Sequence, residues 1–121
     1  KYGVDVISMI SPTSEERIAR IAKEATGFIY VVSSMGVTGV RSEIHTDLAK
    51  IIEKIRSVTD VPCAIGFGIS TPEQAEKMAA LADGAIVGSA IVKIVAEYKE
   101  EAAQPLYDYV ASMKQAVLAA R

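Results

Sequence analysis

Short apolar runs alternate with amphipathic helical patterns four times within 121 residues. A strand reaches a parallel neighbour only through a long crossover, and the spacers here are of helical length, so the alternation predicts a parallel sheet with right-handed helical connections. Residues 4–10 read as the first strand, rich in β-branched side chains and stopped by Ser11-Pro12. Thr13, with Glu16 three positions on, has the capping-box spacing and predicts a helix start, with Ile18, Ile21, Ala22 and Ala25 on its buried face. Residues 28–32 form a second, almost continuously apolar strand, and residues 33–45 a loop that is expected to be mobile. A helix from Thr46 carries Leu48, Ile51, Ile52 and Ile55 on one face, and residues 61–65 make the third strand. Thr71-Pro72-Glu73-Gln74 is a helix start with a capping hydroxyl and an early proline, continued by Ala75, Met78, Ala79 and Ala82. Residues 84–88 are the fourth strand, Ser89 opens a helix with Ile91, Ile94 and Val95, and Pro105 opens the last one. Leu106, Tyr109, Val110, Met113 and Val117 form that helix's predicted buried stripe. No linker interrupts the pattern, which predicts one domain over residues 1–121.

Half of the residues are apolar and the formal charge is −2, with acidic and basic residues interspersed. No basic face is available for a nucleic-acid backbone or an anionic membrane, and no apolar run approaches a membrane span. Cys63 is the single cysteine and His45 the single histidine. That rules out an internal disulfide and a cysteine-rich metal site, fits a reducing cytoplasm, and gives His45 no partners with which to bind a metal. Cys63 and the four methionines, Met9, Met35, Met78 and Met113, read as packing residues.

Chemistry is signalled by three glycine-bearing turns, at residues 36–39, 66–70 and 88–90, each between an apolar run and a helical pattern. Backbone N–H groups at helix N-termini hold phosphoryl oxygens, and glycine lets the chain approach without a side chain in the way. On parallel strands the three turns come out at the same end. A single such turn is usually only a tight turn; three in register predict a phosphate cradle.

The runs at residues 34–39, 64–74 and 84–93 (SMGVTG, AIGFGISTPEQ and GAIVGSAIVK) resemble the tryptophan synthase α subunit, and the resemblance covers essentially the whole chain. It implies a (β/α)8 TIM barrel of which this chain matches strands five to eight, that is, an α/β parallel (β/α)4 half-barrel. The implied reaction is a lyase cleavage of indole-3-glycerol phosphate to indole and glyceraldehyde 3-phosphate. The implied partner is a β subunit that carries pyridoxal phosphate, a cofactor not expected in this chain. Position by position, the resemblance implies that Gly39, Gly68, Gly88 and Ser89 bind phosphate and that Phe67 and Ile86 line the indole pocket. Tyr30 would sit beside a catalytic carboxylate, and Thr38 would hydrogen-bond a catalytic aspartate when its loop closes. Both proton-shuttling carboxylates of the family fall outside the matched part, so the chain alone is expected to be inactive.

Each of these residues also has a plainer role open to it. Tyr30 and Phe67 suit packing, Thr38 suits a turn cap, and Lys93 suits the wet side of its helix. Asp60 and Asp83 sit in helix-to-strand turns, on the end of the sheet that serves stability. Glu43 and Asp47 are the only carboxylates expected near the opposite end. Two other functions remain open: a non-catalytic module that binds phosphorylated ligands, and another phosphate-binding barrel enzyme such as a phosphoribosyl isomerase. Four strands alone leave two edges and an apolar inner face, which predicts pairing with a complementary half-barrel or with a second copy.

Overall fold

The computed structural model describes residues 2–12, 16–33, 41–66 and 68–121, with the backbone alone for residues 41–47. Four strands, β1 (Ser8–Ile10), β2 (Ile29–Val32), β3 (Cys63–Gly66) and β4 (Gly84–Ile86), form one sheet in the order β1-β2-β3-β4. Every neighbouring pair is parallel, and the crossovers run through α1 (Ile18–Glu24), α2 (Arg41–Arg56) and α3 (Pro72–Leu81). After β4 come α4 (Ser89–Tyr98), a single 3₁₀ turn at Lys99–Glu101 and α5 (Ala103–Ala119). The expected parallel (β/α)4 arrangement is what forms.

The register decides which side chains share a face. Ile10, Val31, Ile65 and Ala85 stand in one cross-strand row, and Met9, Tyr30, Ala64 and Gly84 in the next. Successive strand residues point to opposite faces, so the two rows look opposite ways. The first row is core: Ile10, Val31 and Ile65 are fully buried against Ile18 and Ala22 of α1, Leu48, Ile51, Ile52 and Ile55 of α2, and Ala75 and Met78 of α3. The second row has no helix over it among the described residues. Met9 on that face is 60% exposed, and Tyr30, Val32, Ala64 and Ile86 are half-buried. Among the described residues the helical layer therefore covers one side of the sheet.

Several element bounds differ from those expected. Pairing in β1 is confined to Ser8–Ile10 because β2 begins at Ile29, opposite Ser8; residues 4–7 have no ladder partner, and Val4 and Val6 are exposed. The helical backbone of α2 begins at Arg41 rather than Thr46, since no glycine or proline interrupts residues 41–46. His45, Glu43 and Asp47 thus belong to a helix rather than a loop. The regular part of α1 begins at Ile18, and the capping-box Thr13 lies outside the described residues. In α5 two residues precede Pro105, which still falls in the first turn, where its missing N–H has no intrahelical acceptor to lose. Met113 is buried as expected, whereas Val110 of α5 and Val95 of α4 are about half exposed, because α4 has no buried residue at all.

The N-terminus of α3 is closed as its sequence predicts. The Gln74 backbone N–H donates to Thr71 Oγ1 (3.3 Å), while Gln74 Oε1 accepts from the backbone N–H of Thr71 (3.2 Å) and of Ser70 (2.9 Å). Replacing Thr71 by alanine removes one arm of this box and is expected to cost about 1 kcal/mol, read as a lower urea midpoint with an unchanged slope.

Asp83 organises the amino-terminal rim of the sheet. Its carboxylate accepts from the Cys63 backbone N–H (2.9 Å) and pairs with Arg56 (3.6 Å), and its carbonyl accepts from the Arg121 guanidinium (2.6 Å). The Cys63 thiol beside it is buried, and its pKa is pushed up, first by burial and then by the Asp83 charge, with Arg56 opposing. The single cysteine is accordingly an inert core residue, as the sequence predicts.

Candidate functional site

The opposite, carboxyl-terminal rim carries the Gly68 and Gly88 turns, the 36–39 turn lying outside the described residues. Val32, Gly66 and Ile86 pair across the sheet, so Gly68 and Gly88 each follow the same rung by two residues, past the ends of neighbouring strands. Gly68 has φ +77°, a left-handed conformation that glycine adopts without penalty, and it turns the chain sharply out of β3. Ile69 is buried and anchors that turn. Gly88 is the N-cap of α4, with Ser89 as the first helical residue and no side-chain cap. The Ile91 and Val92 backbone N–H groups donate to the Gly88 carbonyl (3.0 and 3.1 Å), which leaves those of Ser89 and Ala90 pointing out of the helix end. A Cβ placed on Gly88 would meet nothing within 4 Å, so the approach to this end is open.

α3 and α4 both begin just past strand ends but differ in what their donors do. The capping box occupies donors at the start of α3, whereas α4 presents its first donors, and the positive end of its dipole, to whatever lies above β4. Of the two, α4 is the one equipped to take an anion. Two polar contacts hold this rim in place. Ser33 Oγ and the Ser33 backbone N–H both donate to the Gly66 carbonyl (2.9 and 3.0 Å), locking β2 to the start of the β3 turn. The Tyr109 hydroxyl of α5 donates to the Ser70 carbonyl at 2.6 Å, and burial raises that phenol's pKa. Neither role was legible in the sequence: Ser33 reads as the first residue of a loop and Tyr109 as one of five stripe residues.

Below the rim, Tyr30 and Ile86 share the uncovered face. Gly66 lies between them, and its missing side chain is what gives the Tyr30 ring room; a Cβ there would come within 2.6 Å of the ring Cζ. Gly68, Gly88 and Ser89 are therefore grouped at one end, with Tyr30 and Ile86 on the adjoining surface. Thr38, Gly39 and Phe67, and the expected mobility of most of the 33–45 loop, lie outside the described residues. Lys93 is exposed, on the wet side of α4. Of the residues described just past the strand ends, Ser11, Pro12, Ser33, Gly68, Ile69, Ser70, Val87 and Gly88, none is a carboxylate.

The family model described as tryptophan synthase alpha chain matches residues 1–119. The chain belongs to that family. The tryptophan synthase alpha chain of Lacticaseibacillus casei is 53% identical over 117 residues, which are 97% of this chain and 44% of the relative. That of Lactiplantibacillus plantarum is 54% identical over 96% of this chain and 44% of its own length. Among solved structures, tryptophan synthase subunit alpha from Campylobacter jejuni superposes with a TM-score of 0.76 at 36% identity, covering 84% of this chain and 41% of that one. A Mycobacterium tuberculosis tryptophan synthase structure gives 0.74 at 33% identity, over 94% and 42%. The chain thus spans about 44% of the length of these tryptophan synthase alpha relatives, and its four-stranded sheet corresponds to part of their barrel. No helix among the described residues is long and apolar enough to cross a membrane.

Proposed function

We propose that this chain is the phosphate-gripping half of a tryptophan synthase α barrel, which in its complete form splits indole-3-glycerol phosphate into indole and glyceraldehyde 3-phosphate. The observation that carries the reading is the uncapped N-terminus of α4, past the carboxyl end of β4, with the Gly68 turn past the carboxyl end of the neighbouring β3. A phosphate dianion seated there would accept from the backbone N–H groups of Ser89 and Ala90 and from the Ser89 hydroxyl, and would lie on the positive end of the helix dipole. Gly68, and Gly39 from the neighbouring turn, would let the backbone close around it. The indole ring would extend from the phosphate down the uncovered face, over Ile86 and toward Tyr30, with Phe67 and Thr38 completing that pocket.

Cleaving the carbon–carbon bond needs a base for the glycerol hydroxyl and an acid for the ring carbon. None of the residues described past the strand ends supplies either, so the chain binds and positions while the rest of the barrel transfers protons. The β subunit, with its pyridoxal phosphate, would receive the indole from the completed barrel. The same lack of a carboxylate favours a second reading, a module that binds phosphorylated ligands without turning them over.

Both readings are tested together by mixing the chain with the complementary half of a related α chain and measuring indole release, alongside calorimetry of the chain with glycerol phosphate. Indole release above that of either half supports the lyase reading. Glycerol phosphate binding without release, when both halves are folded together, leaves the binding module, and no binding at all removes both.

A further inference from the structure

We propose that Tyr109, on α5, is a positioning residue for the phosphate rim: its hydroxyl fixes the peptide that closes the Gly68 turn and thereby sets how tightly a phosphorylated ligand is held. The inference rests on the phosphate reading above. Gly68 stands between two fixed points. Before it, the Gly66 carbonyl accepts from both the backbone N–H and the hydroxyl of Ser33. After it, the Ser70–Thr71 peptide is held at both ends, its carbonyl accepting from the Tyr109 hydroxyl at 2.6 Å and its N–H donating to Gln74 Oε1 at 3.2 Å. The Gln74 contact comes from the helix that the turn itself opens, and it moves with that helix. Tyr109 reaches the same peptide from 39 residues along the chain.

A glycine has more backbone freedom to lose than any other residue, and a turn that becomes ordered only when its ligand arrives takes that cost out of the affinity. With Gly66 and Ser70 both fixed, Gly68 is confined to its left-handed conformation, at φ +77°, before a phosphate binds. α5 is suited to supply the second fixed point, because it packs on both α3 and α4. The Tyr109 ring lies against the core and lines one cleft with Ala75 of α3, Val87 beyond β4 and Ile91 of α4. One side chain thus joins the turn after β3 to the helix whose first backbone donors face the proposed phosphate. Phenylalanine would fill the same space; the hydroxyl is what reaches the turn.

Tyr109→Phe keeps the ring and deletes the hydroxyl, whereas Val117→Ala loosens α5 from the core and leaves the Ser70 contact in place. Calorimetry of the full chain with glycerol phosphate is run at a temperature where wild type and both variants are folded. Binding is expected to be about 5-fold or more weaker in Tyr109→Phe and unchanged in Val117→Ala, although Val117→Ala lowers the urea midpoint more. In the ligand-free chain the Thr71 amide should exchange with deuterium faster in Tyr109→Phe than in wild type. A wild-type chain that does not bind glycerol phosphate removes the phosphate reading and this inference with it. A wild type that binds, with Tyr109→Phe binding as tightly, overturns the inference alone, as does an equal loss in Val117→Ala. Should Tyr109→Phe fail to fold, wild type decides: protection of the Thr71 amide before glycerol phosphate is added supports the proposal, and exchange as fast as in an unstructured peptide overturns it.

Discussion

Gly66→Val is expected to destabilise the wild-type fold by about 3 kcal/mol, but a Tyr30→Ala background by only about 1 kcal/mol. A side chain at Gly66 must occupy the space filled by the Tyr30 ring, and the backbone cannot retreat because Ser33 holds the Gly66 carbonyl through two hydrogen bonds. Tyr30→Ala alone removes half-buried ring contacts, at a cost of about 2 kcal/mol. In urea denaturation the double variant should therefore lose about 2 kcal/mol less than the sum of the two single losses. Strict additivity would mean that the ring and the glycine do not compete for the same space.

The second large effect is on binding rather than folding. Gly88→Asp should weaken glycerol phosphate binding by more than about 100-fold, because a carboxylate at the N-cap takes the Ala90 N–H for itself and repels the dianion at close range. Stability should hold or rise by about 0.5 kcal/mol, since an acidic N-cap suits the helix dipole and the added side chain meets no neighbour. Calorimetry and thermal melts on one preparation separate the two effects. Unchanged affinity in a folded Gly88→Asp protein would mean that phosphate does not sit at the start of α4.

Much of the architecture was legible because each element repeats a local rule. The isoleucines of α2 recur at helical spacing, Thr71 and Gln74 form the box that their spacing predicts, and the nearly unbroken apolar run of β2 becomes an interior strand of the sheet. Strand ends were less legible because pairing is decided by the neighbour. Val4 and Val6 have every strand preference and no partner, since β2 starts at Ile29. Alternation along the strands also leaves open how many faces helices cover, so Met9 read as a packing residue and is largely exposed. At the rim, glycine positions announced the turns, while the groups that hold those turns, Ser33 and the Tyr109 hydroxyl, act across 33 and 39 residues of chain and leave no local mark.

Asp83, clasped by Cys63, Arg56 and Arg121, stands at the end of the sheet remote from Gly68 and Gly88. Sequence drift around that clasp changes how firmly the scaffold holds without redrawing the rim proposed to take phosphate, and drift at that rim leaves the clasp intact. A lineage could accordingly retune its ligand preference on an unaltered chassis.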